Sequence, residues 1–411
     1  MPFGIFVHLL AVLSLLAMPA AADHCVVVRY QHIDDDTPGV SSVTPQQFQQ
    51  HLDYLLENDF SVLELEAVVT ALRTGSGVPA RCVALSIDGA FESAYEEAFP
   101  RTRRYGFPLT VFISSEAVDA GLDGQMTWQQ MREMQAAGVS FQSLGHSHHH
   151  LVRRDTDESL DDWQQRVAFD IQLAQSRIED ELGTRPTLFA YPYGEYNEAL
   201  QQLVESMGLT GFGTQAGALW PQADFTALPR FPLASFGAQP RPFAKKVNAR
   251  PLPIAGAFPT DPVVPLDDWQ PTLTLVFQPL AIDHPRLRCR LNGAPGMIYQ
   301  WLEQPENAVV VSPRGRLRTG RNRVDCTLPL TDDGGLGWYS HLWIRRDDDG
   351  GWYREAYDPL RVSDPVADPV PAAPPVAAPA PVQVPDPTSA PMPAPPGQEF
   401  PAGSPVEPTT H

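Results

Sequence analysis

Four of the chain's 11 histidines fall within five residues, in the run His146-Ser147-His148-His149-His150. Histidine is the commonest metal ligand in proteins, and its neutral imidazole binds metal through one ring nitrogen. His146 and His150 are four residues apart, a spacing that one turn of helix would place on the same face. A histidine-rich loop can also be solvated and without function, but this density after the apolar stretch 138–141 favours metal binding.

Other polar residues stand where predicted strands end. His32 follows the strand 26–30, Asp88 follows the strand 83–87, and the histidine run follows the strand 139–144. Tyr191-Pro192-Tyr193-Gly194 lies at the end of a strand that starts at Thr187. Carboxyl ends of parallel strands share one face of a barrel, and that face carries the active site. Each group also has an ordinary interpretation, because Asp-Gly and Tyr-Pro pairs serve turns and His32 could be a core histidine.

The segments between these strands predict helices. Thr44-Pro45-Gln46-Gln47 has the residues of an N-cap, a first helical turn and a capping box. Thr127 opens a second helix, and Ser159 opens a long one whose apolar positions recur every three or four residues up to Gly183. Strands that alternate with helices over 23–262 predict an α/β fold with a parallel sheet, open or closed into a barrel.

The ends of the chain and its second section differ in composition. Residues 1–22 have the apolar core and small-residue cleavage site of a signal peptide. Residues 263–362 alternate apolar and polar side chains, which predicts a small all-β, sandwich-like domain. Residues 363–411 contain 16 prolines and no Lys or Arg, which predicts a disordered tail that could dock on an envelope partner.

The four cysteines form two natural pairs and agree with export. Cys25 and Cys82 each open a predicted strand, so they could bridge if those strands are neighbours. Cys289 and Cys326 could form a second bridge in the β section; four buried thiols are the alternative. We therefore expect a periplasmic or secreted protein without a membrane span, because the apolar run of the signal peptide is too short for one.

The formal net charge of −20 limits the partners. Nucleic acids and anionic membrane surfaces reward clustered Lys and Arg, so the composition argues against both. It is compatible with neutral or cationic substrates.

The motifs at the strand ends resemble those of NodB-type polysaccharide deacetylases, the metal-dependent carbohydrate esterases that act on N-acetylated sugars. The matching segments are Ser86-Ile87-Asp88-Gly89-Ala90, the run His146 to His150, and Arg185 with Tyr191-Pro192-Tyr193-Gly194. Flanking segments such as Tyr30-Gln31-His32-Ile33 and Leu228-Pro229-Arg230-Phe231-Pro232 resemble poly-N-acetylglucosamine deacetylases. The resemblance covers about residues 23–240.

The resemblance implies a distorted parallel (β/α) barrel of NodB type and metal-dependent removal of N-acetyl groups from an N-acetylglucosamine polysaccharide. His146 and His150 take the positions of the metal ligands, and the implied metal is zinc. The metal would lower the pKa of a bound water. Asp88 takes the position of the general base. Tyr191, Tyr193 and Arg230 fall in segments that the resemblance assigns to substrate binding.

One position departs from the family pattern. The carboxylate metal ligand falls on Gly89, which has no side chain. His148 or His149 could replace it only if the backbone rearranged, and His32 is the only histidine on the predicted face that could act as general acid. A second hypothesis is therefore a catalytically degenerate relative that binds polysaccharide in the cell envelope.

Overall fold

The computed structural model describes residues 21–279, 284–330 and 335–354 of the chain. The predicted Pro-rich tail and the predicted signal peptide, apart from Ala21 and Ala22, lie outside the described residues. As the sequence predicts, strands alternate with helices in the first section and the second section consists mainly of strands.

The first section contains the elements that carry the site. Its strands are β1 (Ala21–Ala22), β2 (Cys25–Tyr30), β3 (His32–Ile33), β4 (Ser42–Val43), β5 (Ser61–Val62), β6 (Val78–Pro79), β7 (Cys82–Asp88), β8 (Thr110–Ile113), β9 (Ser140–Ser143), β10 (Leu188–Ala190), β11 (Thr210–Phe212), β12 (Ala218–Leu219) and β13 (Phe231–Pro232). Its helices are α1 (Pro45–Glu57), α2 (Leu65–Thr74), α3 (Phe99–Tyr105), α4 (Ser115–Asp119), α5 (Trp128–Ala136), α6 (Leu160–Leu182), α7 (Glu198–Ser206) and α8 (Pro240–Val247). A π-helical turn, Ala94–Ala98, leads into α3.

The predicted helix starts are confirmed by their caps. Thr44 accepts a hydrogen bond from the backbone of Gln47, whose side chain accepts one from the Thr44 backbone, and Thr127 forms the same capping box at α5. Ser159 caps α6, and Gly183 ends it in the left-handed conformation. These caps satisfy backbone donors and acceptors that a helix end leaves without an intrahelical partner.

One curled sheet forms the centre of this section, with the strand order β11-β10-β9-β8-β7-β2-β12. The strands from β11 to β2 run parallel to one another. The segment around β13 lies between the two ends of that parallel run, because Leu228 bridges to Phe212 in β11 and Phe231 pairs with Val28 in β2. Strand β7 is buried along its whole length, as expected of a parallel strand covered on both faces.

The predicted strands differ little from the observed ones. The strand 110–113 is confirmed as predicted, and the other four shift by one residue at one or both ends. The carboxyl ends of β2, β7, β9 and β10 therefore meet at one edge of the curled sheet, where the sequence places the chemistry-bearing side chains.

The second section holds two four-stranded sheets with the orders β14-β21-β20-β17 and β15-β16-β19-β18. Their strands are β14 (Ala249–Pro251), β15 (Ile254–Phe258), β16 (Leu273–Phe277), β17 (Arg288–Leu291), β18 (Met297–Trp301), β19 (Ala308–Pro313), β20 (Gly320–Pro329) and β21 (Leu336–Arg345). The β section thus begins before the predicted boundary at residue 263. Only pairing with later strands assigns β14 and β15 to it, and that pairing is not visible in the local sequence pattern.

Both predicted disulfides are present. Cys25 lies directly opposite Cys82 where β2 pairs with β7, and Cys289 lies directly opposite Cys326 where β17 pairs with β20. Each bridge therefore joins neighbouring strands. Within the described residues, no helix is long and apolar enough to cross a membrane.

Candidate functional site

Asp88, the last residue of β7, is the centre of a buried ionic cluster. Its side chain accepts two hydrogen bonds from Arg230, at 2.5 Å (Nη1 to Oδ1) and 2.9 Å (Nη2 to Oδ2), and one from Arg29 Nε at 2.7 Å to Oδ2. Burial raises the pKa of Asp88, but the charges of Arg230 and then Arg29 outweigh it and hold that pKa below its usual value. The carboxyl group is therefore ionised at neutral pH.

Three of the roughly four acceptor sites of the Asp88 carboxylate are used by these two arginines. Two of the three bonds go to Oδ2, so the remaining acceptor site lies on Oδ1. That site is where a water or a substrate N–H could be held. The arginines stabilise the ionised carboxylate and at the same time weaken it as a base.

Arg230 is fully buried and is held in place from several sides. Its Nε donates to the Gly213 carbonyl at 3.1 Å. Its guanidinium lies 5.0 Å from the ring centre of Phe112 and 5.9 Å from that of Phe212. Arg230 thus contacts Asp88 in the interior of the domain, and its predicted role in substrate binding stays a prediction.

Gly89 follows Asp88 with a φ of +101°, a conformation that L side chains rarely adopt. A Cβ built on Gly89 would lie 2.3 Å from Cε2 of Phe91. The Phe91 ring therefore fills the space that a side chain at position 89 would need. The position at which the family resemblance expects a metal-binding carboxylate is closed to one by both backbone conformation and packing.

His32 packs against the Phe91 ring, with its ring centroid 3.8 Å from that of Phe91. The side chain is buried, and Nε2 has no hydrogen-bond partner among the residues that the structure describes. Burial lowers the pKa of His32 to about 4, an effect that the nearby Asp34 opposes and Arg29 reinforces. A general acid must carry its proton at working pH, so this environment disfavours the acid role predicted for His32.

The histidine run forms a loop after β9 rather than the helical turn that its spacing suggests. The backbone N–H groups of His146 and Ser147 donate to the Asp170 carboxylate at 2.9 and 3.0 Å. His148 has a positive φ of 52°, which no helix accommodates. The loop is thus shaped by Asp170 on α6, a residue that the sequence analysis missed because it borders the apolar stripe of that helix.

The two predicted metal ligands each have a fixed ring nitrogen. His146 Nδ1 lies 2.8 Å from the hydroxyl of Ser115, at the start of α4. His150 Nδ1 lies 2.8 Å from Oε2 of Glu195, and its ring stacks on Tyr193 at 3.7 Å with an interplanar angle of 10°. Such contacts on Nδ1 leave Nε2 as the nitrogen that a metal would take.

Glu195 follows the Tyr191 to Gly194 motif and is 1% exposed. Besides His150 it contacts two residues of the β section: Arg321 Nη1 donates to Oε1 at 2.9 Å, and the Tyr353 hydroxyl donates to the same oxygen. Sequence reasoning did not predict a role for Glu195. Its position directly after the motif was the available signal, but its partners lie more than a hundred residues further along the chain.

The two other histidines of the run lie differently. His148 is buried with its ring centroid 4.6 Å from that of Tyr193, and His149 is exposed. Across the described ranges 21–279, 284–330 and 335–354, no group of three or more His, Cys, Asp or Glu side chains is arranged to hold a metal ion. Two imidazoles suit a metal, but the three-ligand set that the resemblance implies does not fit these residues.

The two tyrosines of the motif have separate places. Tyr191 is buried, and its hydroxyl donates to the Thr226 carbonyl at 2.6 Å. Tyr193 is half-buried beside His150 and has a positive φ of 59°. Of the residues predicted to bind substrate, Tyr193 is therefore the one whose side chain lies within the histidine cluster and is not buried.

The first section thus combines a curled, largely parallel sheet with Asp88, His146 and His150, which lie at or just after the carboxyl ends of its strands. Residues 75–212 match the family model described as "Polysaccharide deacetylase". The predicted resemblance to polysaccharide deacetylases is therefore confirmed over residues 75–212 of the first section.

Two curated relatives are named "Poly-beta-1,6-N-acetyl-D-glucosamine N-deacetylase". That of Staphylococcus epidermidis is 27% identical over 194 residues, which is 46% of this chain and 67% of the relative. That of Staphylococcus aureus (strain MRSA252) is 25% identical over 195 residues, again 46% and 67%. A solved Streptococcus pyogenes deacetylase in complex with acetate is 21% identical, with a TM-score of 0.49 and coverage of 56% of this chain and 99% of its own.

Proposed function

We propose that this protein removes N-acetyl groups from an N-acetylglucosamine-containing polysaccharide outside the cytoplasm. The reaction adds water to the acetamide, breaks its C–N bond, and yields acetate and a free amine. The observation that carries the proposal is the meeting of Asp88, His146 and His150 at one edge of a polysaccharide deacetylase domain. The names of the curated relatives support the choice of polymer.

Asp88 and Tyr193 suggest how an acetamide would be bound and hydrolysed. Asp88 keeps one acceptor site on Oδ1, which can hold the attacking water and take its proton. Tyr193 offers an aromatic surface beside His150 for a sugar ring. Family members use a divalent metal, and zinc is among the ions that imidazole ligands suit, but the described residues do not supply its third ligand. No step of this account therefore depends on a metal.

Export is part of the proposal. The predicted signal peptide and the two disulfides agree with an oxidising compartment, either the periplasm or the exterior. The Pro-rich tail remains a predicted contact for an envelope partner.

A second candidate function is polysaccharide binding without hydrolysis. It stays an alternative because position 89, where the resemblance expects a carboxylate ligand, is a glycine covered by the Phe91 ring. This candidate shares the substrate class with the first and differs only in the outcome of binding.

Acetate release from N-acetylated glucosamine oligomers by the full chain tests the proposal. We expect release by the wild type and a loss of about 100-fold or more in Asp88→Asn. Asp267→Asn, in the β section, is the matched control. If the protein binds the oligomer but releases no acetate, with or without added zinc, the second candidate is favoured. If it neither binds the oligomer nor releases acetate, both candidates are contradicted.

A further inference from the structure

Two residues of the β section contact the candidate site by binding Glu195. Arg321 lies on β20 and Tyr353 lies beyond β21, yet both donate to Oε1 of a glutamate in the deacetylase domain. The Glu195 side chain is 0% exposed. A buried carboxylate is costly unless charge and hydrogen bonds compensate it, and Arg321 supplies both here.

The other oxygen of Glu195 is in contact with His150 Nδ1 at 2.8 Å. A carboxylate oxygen accepts hydrogen bonds, so at this distance the imidazole donates its Nδ1 proton to Oε2. The contact thus selects one tautomer and leaves the lone pair on Nε2. In water a histidine side chain samples both tautomers, so this selection depends on Glu195 staying in place.

A further contact between the sections comes from Arg153, three residues after His150. It donates from Nη1 to the Tyr353 carbonyl at 2.7 Å, and its guanidinium lies 4.5 Å from the Tyr353 ring centre. Its Nε lies 3.9 Å from Glu195 Oε2. Tyr353 is therefore held both by the loop that carries His150 and by the Glu195 carboxylate, which contacts His150.

We propose that the β section is an integral part of the site, in which Arg321 and Tyr353 act as positioning residues that fix the tautomer and orientation of His150 through Glu195. This inference deepens the proposed deacetylation and rests on it for its catalytic meaning. The tautomer itself is a property of the folded protein and does not depend on turnover.

The test compares Arg321→Ala with Arg323→Ala in the full chain. Arg323 is two residues along the same strand, is also half-buried, and pairs with Asp325 instead of the site. Nitrogen-15 NMR of the histidine rings reports which nitrogen of His150 carries the proton. We expect the wild type and Arg323→Ala to show the Nδ1–H tautomer and Arg321→Ala to show a mixture or the Nε2–H form.

Acetate release supplies a second readout. We expect Arg321→Ala to lower kcat by roughly tenfold or more with KM within about twofold, the size of loss seen when a histidine loses its orienting partner. Arg321→Lys should restore the tautomer and most of kcat because it keeps the charge. Tyr353→Phe removes only one hydrogen bond to Glu195, so it tests the same contact with a smaller change to the fold. It should lower kcat in the same direction as Arg321→Ala but by less.

Three outcomes would overturn the inference. One is an unchanged His150 tautomer in folded Arg321→Ala. Another is a kcat loss that is equal in Arg321→Ala and Arg323→Ala and follows their thermal stability. The third is failure of Arg321→Lys to restore what Arg321→Ala lost. If the wild type releases no acetate, the proposed function fails, and the tautomer measurement still decides this inference.

Discussion

Arg230 and Asp88 form a fully buried, two-point ion pair, with Nη1 2.5 Å from Oδ1 and Nη2 2.9 Å from Oδ2. Arg230 directly precedes β13, in the segment between the two ends of the parallel run, and Asp88 ends β7 at the centre of the sheet. The ion pair therefore links that segment to the centre of the sheet. Its geometry holds the one carboxylate that the deacetylase account uses.

Replacing Arg230 by Met should lower the free energy of unfolding at pH 7 by about 3 kcal/mol, because it leaves a buried carboxylate with Arg29 alone. Urea unfolding measures the loss. The double variant Asp88→Asn with Arg230→Met should recover part of it, since the uncompensated charge is then gone. A change below about 0.5 kcal/mol in Arg230→Met would contradict the central place given to this pair.

Acid should act on the same pair in a defined direction. The pKa of folded Asp88 is lowered, so its stabilising contribution is complete above the unfolded-state pKa of about 3.9 and is lost as pH falls through the folded value. Unfolding of wild type and Asp88→Asn between pH 7 and pH 2 should therefore differ by a constant amount above about pH 5 and converge only in strong acid. Convergence near pH 6 would show that Asp88 is not held in this way.

His32 should make folding sensitive to pH in a higher range. Its folded pKa of about 4 lies below the usual 6.5, so the unfolded chain binds the extra proton first as pH falls. Stability is therefore lost between about pH 6.5 and pH 4, by up to roughly 3 kcal/mol. His32→Gln should remove this slope, measured as the difference in unfolding free energy from wild type at pH 7 and pH 5. Equal differences at the two pH values would contradict the buried, neutral state of His32.

Restoring a carboxylate at position 89 should fail. Gly89→Asp combines a positive φ with a Cβ that meets Phe91, so we expect a loss of about 1–3 kcal/mol in stability and no gain of bound metal. Adding Phe91→Ala removes the steric part only. Thermal unfolding and elemental analysis of the dialysed protein measure both effects. Stable Gly89→Asp with one equivalent of zinc would show that Phe91 yields easily and that the site accepts a third ligand.

The Cys289–Cys326 bridge, which spans 37 residues, should stabilise the β section by about 4 kcal/mol, the loss expected when a loop of this length is opened. In the double variant Cys289→Ala with Cys326→Ala, the free energy of unfolding measured with urea should fall by that amount. If the β section orients His150, the NMR signal of that ring should also broaden well before global unfolding. If the β section unfolds partly and the His150 signal does not change, the β section does not orient the His150 ring.

The sequence predicts the parallel strands, the helix caps and both disulfides because each depends on local pattern or on pairing between neighbouring strands. It also places Asp88, His146 and His150 at one edge, since strand direction decides that. The contacts that change their chemistry are long-range. Arg230 reaches Asp88 from 142 residues away, and Arg321 reaches Glu195 from 126 residues away. Neither contact has a local signature, and the conflict between Gly89 and Phe91 appears only when the backbone angle is known.

We propose that this edge of the sheet hydrolyses N-acetyl groups of a glucosamine polymer with Asp88 as the base. The most direct measurement is acetate released per mole of enzyme from N-acetylglucosamine oligomers, with bound metal determined on the same sample. We expect many turnovers by the wild type and a loss of about 100-fold or more in folded Asp88→Asn. Equal acetate release by the two proteins, or none from a wild type that binds the oligomer, would contradict it.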